Sequence, residues 1–124
     1  MSLRTPLAKV RGLGSAKDGT EHFWMQRLTA IALVPLTLWF VISVIAHTGA
    51  SYAEFVQWLS TPLSGGLMIL LVIATFYHAM LGLQVVIEDY VHTEWKKISS
   101  LIVMRFFCIF LGVIGVLSVL KIML

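Results

Sequence analysis

His78 is the residue best placed to do chemistry. It lies inside an apolar run, about nine residues before the run ends at Ile87. On a helix that is a depth of roughly 13 Å at 1.5 Å per residue. An ionisable ring so far from water is costly, so it is expected to face other protein and to have a partner. Two chemistries fit. A neutral imidazole suits axial ligation of haem iron. A hydrogen bond between two helices would account for the same position.

The neighbours narrow the choice. Ala74 and Gly82 stand one turn either side of His78, so Ala74, His78 and Gly82 form a small-or-polar stripe at spacing four. Such a stripe marks a packed face rather than a lipid face. The missing side chain at Gly82 leaves room for a flat macrocycle, and equally for a close helix. Asp89 follows His78 by eleven residues, within about 20° of the same helical face and roughly 16 Å along the axis. Tyr90 is beside it. A phenol at that depth can donate a hydrogen bond to a carbonyl oxygen. An aromatic-belt role for Tyr90 and a solvated helix end at Glu88 and Asp89 are the plainer alternatives.

Arg27 opens the first apolar run. It can snorkel to headgroups or pair with a buried carboxylate. The same choice arises for Arg105, where snorkelling is the expectation. His22, His47 and His92 lie near the ends of apolar runs, within reach of water. No Gly-rich phosphate loop, ligand cluster or nucleophile–base pair with useful spacing is present, so no catalytic set of the hydrolase kind is expected.

The elements that must position these groups are membrane spans. Hydrophobic residues make up 59% of the 124 residues, more than a soluble domain of this size can hide. They collect in three runs, 28–46, 67–87 and 101–120, none holding an acidic residue. Each is close to the ~20 residues that cross the hydrocarbon core as a helix. Period-2 alternation is absent, which argues against a barrel. The fold class expected is an all-α membrane protein with three transmembrane helices in one domain, 1–124. Cys108 lies in the third run and reads as a small packed residue. Pro35 is expected to bend the first span.

Charge sets the orientation. Arg4, Lys9, Arg11, Lys17 and Arg27 precede or open the first span, and Lys96 and Lys97 lie between the second and third. The first loop has only Glu54, and the far end only Lys121. The positive-inside rule puts the N-terminus and the second loop in the cytoplasm (or matrix), and the first loop and C-terminus on the periplasmic side. The net charge of +3 serves topology and does not suggest nucleic acid. Residues 1–20 read as an extended cytoplasmic tail, although a mitochondrial targeting segment would look similar. No cleavable secretory signal is expected. In the first loop, Ser51-Tyr-Ala-Glu54 fits a capping box. Tyr52, Phe55, Trp58 and Leu59 then share one face of a short helix expected to lie at the interface. Pro62, Ser64, Gly65 and Gly66 are expected to break it before the second span.

Two segments resemble a known family. His22-Phe-Trp-Met-Gln-Arg27-Leu-Thr-Ala-Ile-Ala-Leu and His78-Ala-Met-Leu-Gly82-Leu-Gln-Val-Val-Ile-Glu-Asp89-Tyr90 are similar to the D-type membrane anchor subunits of succinate dehydrogenase. Gly14-Ser-Ala-Lys-Asp-Gly19 resembles the alphaproteobacterial branch. The resemblance runs from about Gly12 into the third span, and the second segment is the more specific. It implies that His78 ligates haem b, whose other axial ligand comes from a C-type cytochrome b anchor subunit. It implies Arg27, and less directly His22, near the haem propionates. It implies ubiquinone binding by Tyr90 with Asp89 adjacent. FAD and iron-sulfur clusters would sit on the flavoprotein and iron-sulfur partner subunits, where succinate is oxidised. The location implied is the bacterial inner membrane, with the mitochondrial inner membrane as the alternative. Two other readings stay open: a quinol:fumarate reductase anchor, and a non-redox membrane interaction or assembly protein in which His78 only packs.

Overall fold

The computed structural model describes residues 5–10 and 18–124. All of its elements are helices: α1 (Pro6–Val10), α2 (Asp18–Ala46), α3 (Tyr52–Leu59), α4 (Pro62–Tyr90) and α5 (Glu94–Met123). Three of them, over Thr20–Ala46, Pro62–Tyr90 and Glu94–Met123, are long and apolar enough to cross a membrane.

These helices overrun the apolar runs. At 29 or 30 residues each, they are about 44 Å long, against a hydrocarbon core of ~30 Å. The excess turns carry the polar groups of interest. His22 and Arg27 ride on the first turns of α2, and Glu88, Asp89 and Tyr90 on the last turn of α4. The tail expected over 1–20 is therefore shorter than composition suggests. Its 6–10 stretch is helical, started by Pro6, whose fixed φ suits a first helical position. The second helix already begins at Asp18. Arg4, Arg11, Gly12, Gly14 and Lys17 lie outside the described residues. Helix α2 is continuous through Pro35, where one intrahelical hydrogen bond is lost.

The first loop turns at Gly49, whose φ of +84° is a left-handed conformation that glycine adopts without Cβ strain. The capping box expected at Ser51 is present. Ser51 N–H donates to Glu54 Oε2 at 2.6 Å, and Glu54 N–H donates to Ser51 Oγ at 3.3 Å. The first of these bonds, helped by the Ser51 hydroxyl, holds the Glu54 carboxyl below the usual carboxylate range. One face of α3 is packed against its neighbours. Trp58 meets Trp39 (5.8 Å between centroids), His47 (4.5 Å) and Phe55 (5.6 Å), and Leu59 is only 2% exposed. Tyr52 does not join that face and stands exposed.

Pro62, Ser64, Gly65 and Gly66 are not a breaker. They form the first turns of α4, and only Ser60 and Thr61 separate it from α3. Pro62 occupies a first-turn position, and Ser64 N–H donates to Thr61 Oγ1 at 3.4 Å. Gly65 is needed for a close approach. A Cβ there would collide with the Met123 side chain of α5 and stand 2.9 Å from the Leu59 carbonyl oxygen.

Helix α4 is the centre of the bundle, with α2 and α5 each packed against it and not against one another. The α4–α5 seam is close because two glycines of α5 face it, and Met104, Cys108 and Val119 are buried along α5. A Cβ at Gly112 would make ordinary contact with Phe76 Cβ at 3.5 Å, but one at Gly115 would stand 2.7 Å from Val72 Cγ1. Val72 is β-branched and has one favoured helical rotamer, so it has little room to move aside. Gly115→Val is therefore expected to force the helices apart, at about 1–3 kcal/mol, and Gly112→Ala to be tolerated. Thermal unfolding of the detergent-solubilised protein checks this: Gly115→Val lowers Tm well below both Gly112→Ala and the parent.

Candidate functional site

The polar groups gather where the start of α2, the end of α4 and the first half of α5 meet. The link across the α2–α4 contact is a hydrogen bond of 2.9 Å between Thr29 Oγ1 and His78 Nδ1. Thr29 is 8% exposed, one of two buried polar residues among the described residues. His78 Nε2 has no hydrogen bond among the described residues and is not sealed from the surface. The ring lines a cavity of about 290 Å³ together with Phe23, Gln26, Arg27 and Ala30 of α2. Arg27 stacks its guanidinium over Phe23, 5.1 Å from the centroid. This cation–π contact holds a positive charge at the rim of the cavity.

The stripe around His78 is open where the sequence suggested room. Nothing lies within 4 Å of a Cβ built at Gly82. Space below the imidazole is therefore left for something other than this chain. The donor set fits one axial bond and no metal cage: among the described residues, no three His, Cys, Asp or Glu side chains converge. One unpartnered imidazole nitrogen, a guanidinium at the rim and an unfilled glycine suit one side of a flat, anionic macrocycle. The cavity is too small to enclose such a group, which would need a further wall from outside this chain.

His22 is not brought to that cavity. It lines a second one, of about 610 Å³, with Glu21, Tyr77, Gln84, Glu88 and Arg105, and its Nε2 is buried without a hydrogen-bond partner. Asp89 and Tyr90 line neither cavity. Both are exposed on the last turn of α4, Tyr90 at 78%, and neither makes a hydrogen bond among the described residues.

Sequence reasoning missed two features. Arg105 does not simply snorkel: its Nη2 donates to Gln84 Oε1 at 3.1 Å, and Gln84 Nε2 donates to Glu88 Oε1 at 3.0 Å. This chain of polar groups ties α5 to the last turns of α4. The i,i+4 spacing of Gln84 and Glu88 was its one local sign. Thr29 was also passed over. A threonine inside a helix ordinarily bonds back to its own backbone, and Thr29 does so as well, to the carbonyls of Met25 and Gln26.

Comparison with known proteins adds the family. The chain is 36% identical to the succinate dehydrogenase hydrophobic membrane anchor subunit of Rickettsia bellii over 106 residues, which is 86% of this chain and 85% of the relative. It is 33% identical to the subunit of the same name from Paracoccus denitrificans over 93 residues (75% and 72%). It is 32% identical to the succinate dehydrogenase membrane anchor subunit of Reclinomonas americana over 92 residues (72% and 77%). The family model for succinate dehydrogenase/fumarate reductase transmembrane subunits matches residues 1–112. With three membrane-length helices, this chain is a multi-pass membrane protein and belongs to the succinate dehydrogenase/fumarate reductase transmembrane subunit family.

Proposed function

We propose that this chain is the hydrophobic membrane anchor of a succinate:ubiquinone oxidoreductase, holding one side of a haem b site and part of a ubiquinone site. The observation that carries the reading is at His78. Its Nδ1 is engaged by Thr29, while its Nε2 is free beside a cavity whose rim holds Arg27. His78 Nε2 would hold the haem iron, with a second ligand from a C-type anchor subunit. The guanidinium of Arg27 would pair with propionate carboxylates, for which its planar fork is suited. Haem b, when bound, supplies a one-electron store within the membrane.

Succinate is oxidised to fumarate on the flavoprotein subunit. Its two electrons leave through the iron-sulfur subunit and, with two protons, reduce ubiquinone to ubiquinol at the edge of the anchor. Tyr90 O–H donates a hydrogen bond to a quinone carbonyl oxygen, opposing the negative charge that develops there. Asp89, its neighbour in the chain, holds a water beside the site. The charge asymmetry supports an orientation with Tyr90, the start of α2 and the α4–α5 connection on the cytoplasmic face, where the soluble subunits dock. Helix α3 then lies at the periplasmic interface. The membrane is the inner membrane of a bacterium, and the chain acts as one domain. The names of the relatives favour succinate oxidation over fumarate reduction as the working direction.

The test is purification of the complex from mildly solubilised membranes through a tag on this chain. The expected preparation contains a flavoprotein, an iron-sulfur protein and a second anchor. It has a b-type reduced-minus-oxidised spectrum and reduces ubiquinone with succinate. A preparation with neither haem nor flavin would overturn the proposal and favour a non-redox membrane protein.

A further inference from the structure

We propose that Thr29 is a positioning residue that selects the tautomer of His78 and so presents its Nε2 lone pair outward. This inference rests on the haem reading above and adds the group that makes the histidine a ligand. Thr29 Oγ1 lies 2.8 Å from the Met25 carbonyl oxygen, 3.0 Å from the Gln26 carbonyl oxygen and 2.9 Å from His78 Nδ1. A hydroxyl has one proton and two lone pairs. Both carbonyl oxygens are acceptors only, so the hydroxyl proton goes to them. The lone pairs that remain must meet a donor, and the group facing them is Nδ1. The ring therefore carries its proton on Nδ1 and donates it to Thr29. Nε2 is left as the bare nitrogen.

The opposite tautomer would set the Nδ1 lone pair against an oxygen whose own proton is already committed. It would also place a proton on the nitrogen that has to bind iron. The bond does a second thing. Residues 29 and 78 are on different helices, so their contact fixes the ring's rotation as well as its protonation. An acceptor on the far nitrogen of a ligating histidine makes the near nitrogen more basic. A more basic axial ligand favours the oxidised metal.

Thr29→Val keeps the shape of the side chain and deletes the hydroxyl, and Thr29→Ser keeps the hydroxyl. Both are made in the intact complex, beside wild type and His78→Ala. The readouts are haem per flavin, the haem midpoint potential and the electron paramagnetic resonance spectrum of the oxidised haem. Thr29→Val is expected to raise the midpoint potential and shift the low-spin signal, with haem retention weakened by about 10–100-fold, as for other outer-shell losses. Thr29→Ser is expected to match wild type in all three. Should Thr29→Val fail to assemble, Thr29→Ala takes its place, and the serine variant decides independently. Wild-type potential and signal in Thr29→Val or Thr29→Ala would overturn the inference, as would altered values in Thr29→Ser. Those outcomes leave His78 as the ligand. A haem spectrum that survives in His78→Ala unchanged overturns the underlying reading instead.

Discussion

His78→Ala is expected to abolish the b-type absorption of the complex while flavin content persists. The donor count is the reason. Among the described residues no other histidine lies in the middle of a span, and no ligand cluster can substitute. On the proposed reading the mutation removes the bond to iron, and it leaves Thr29 without its partner on α4. Loss of an outer-shell hydrogen bond already weakens metal sites by about 10–100-fold, so loss of the ligand itself should exceed that. The check is a reduced-minus-oxidised spectrum normalised to flavin. An unchanged spectrum would remove His78 as ligand and leave the Thr29–His78 bond as helix packing alone.

Tyr90→Phe should slow succinate-driven ubiquinone reduction by about 10–100-fold and leave the haem spectrum intact. A hydrogen bond to a group that becomes charged is worth about 1.5–3 kcal/mol, which converts to that range of rates. The ring is 78% exposed on the last turn of α4, so deleting its hydroxyl disturbs no packing within this chain. Its hydroxyl also has no competing partner among the described residues. Reduction of a water-soluble electron acceptor by succinate reports the flavoprotein alone and should be unaffected. If ubiquinone reduction matches wild type, Tyr90 is an aromatic-belt residue and the quinone is held elsewhere.

The spans could be read from the sequence because lipid imposes a simple rule: apolar runs of sufficient length become helices. The capping box at Ser51 and Glu54 was legible for a similar reason, since both of its hydrogen bonds are local. The open stripe at Gly82 followed from helical spacing. What was hidden depends on partners distant along the chain. Nothing near Thr29 announces that it faces His78, and nothing near Arg105 announces Gln84. Pro62, Gly65 and Gly66 read as a breaker because their intrinsic preferences are poor for helix interiors. Proline is, however, well suited to a first turn, and Gly65 is required by the proximity of Met123 and the Leu59 carbonyl. The separation of His22 from Arg27, only five residues apart, depends on how α2 is rotated against α4. Composition carries no trace of that rotation.

The two ends of the bundle differ mechanically. At one, Leu59 is sealed beneath α3, Trp39 stacks on Trp58, and Gly65 meets Met123. At the other, one cavity opens between α2 and α4, and a second is lined by α2, α4 and α5. The first end is a closed base and the second an open mouth. Helices α2 and α5 are joined through α4 and not directly, so their spacing at the mouth is set by how each leans on α4. The fold thus resembles tongs closed at one end, with the open end left unfilled by this chain.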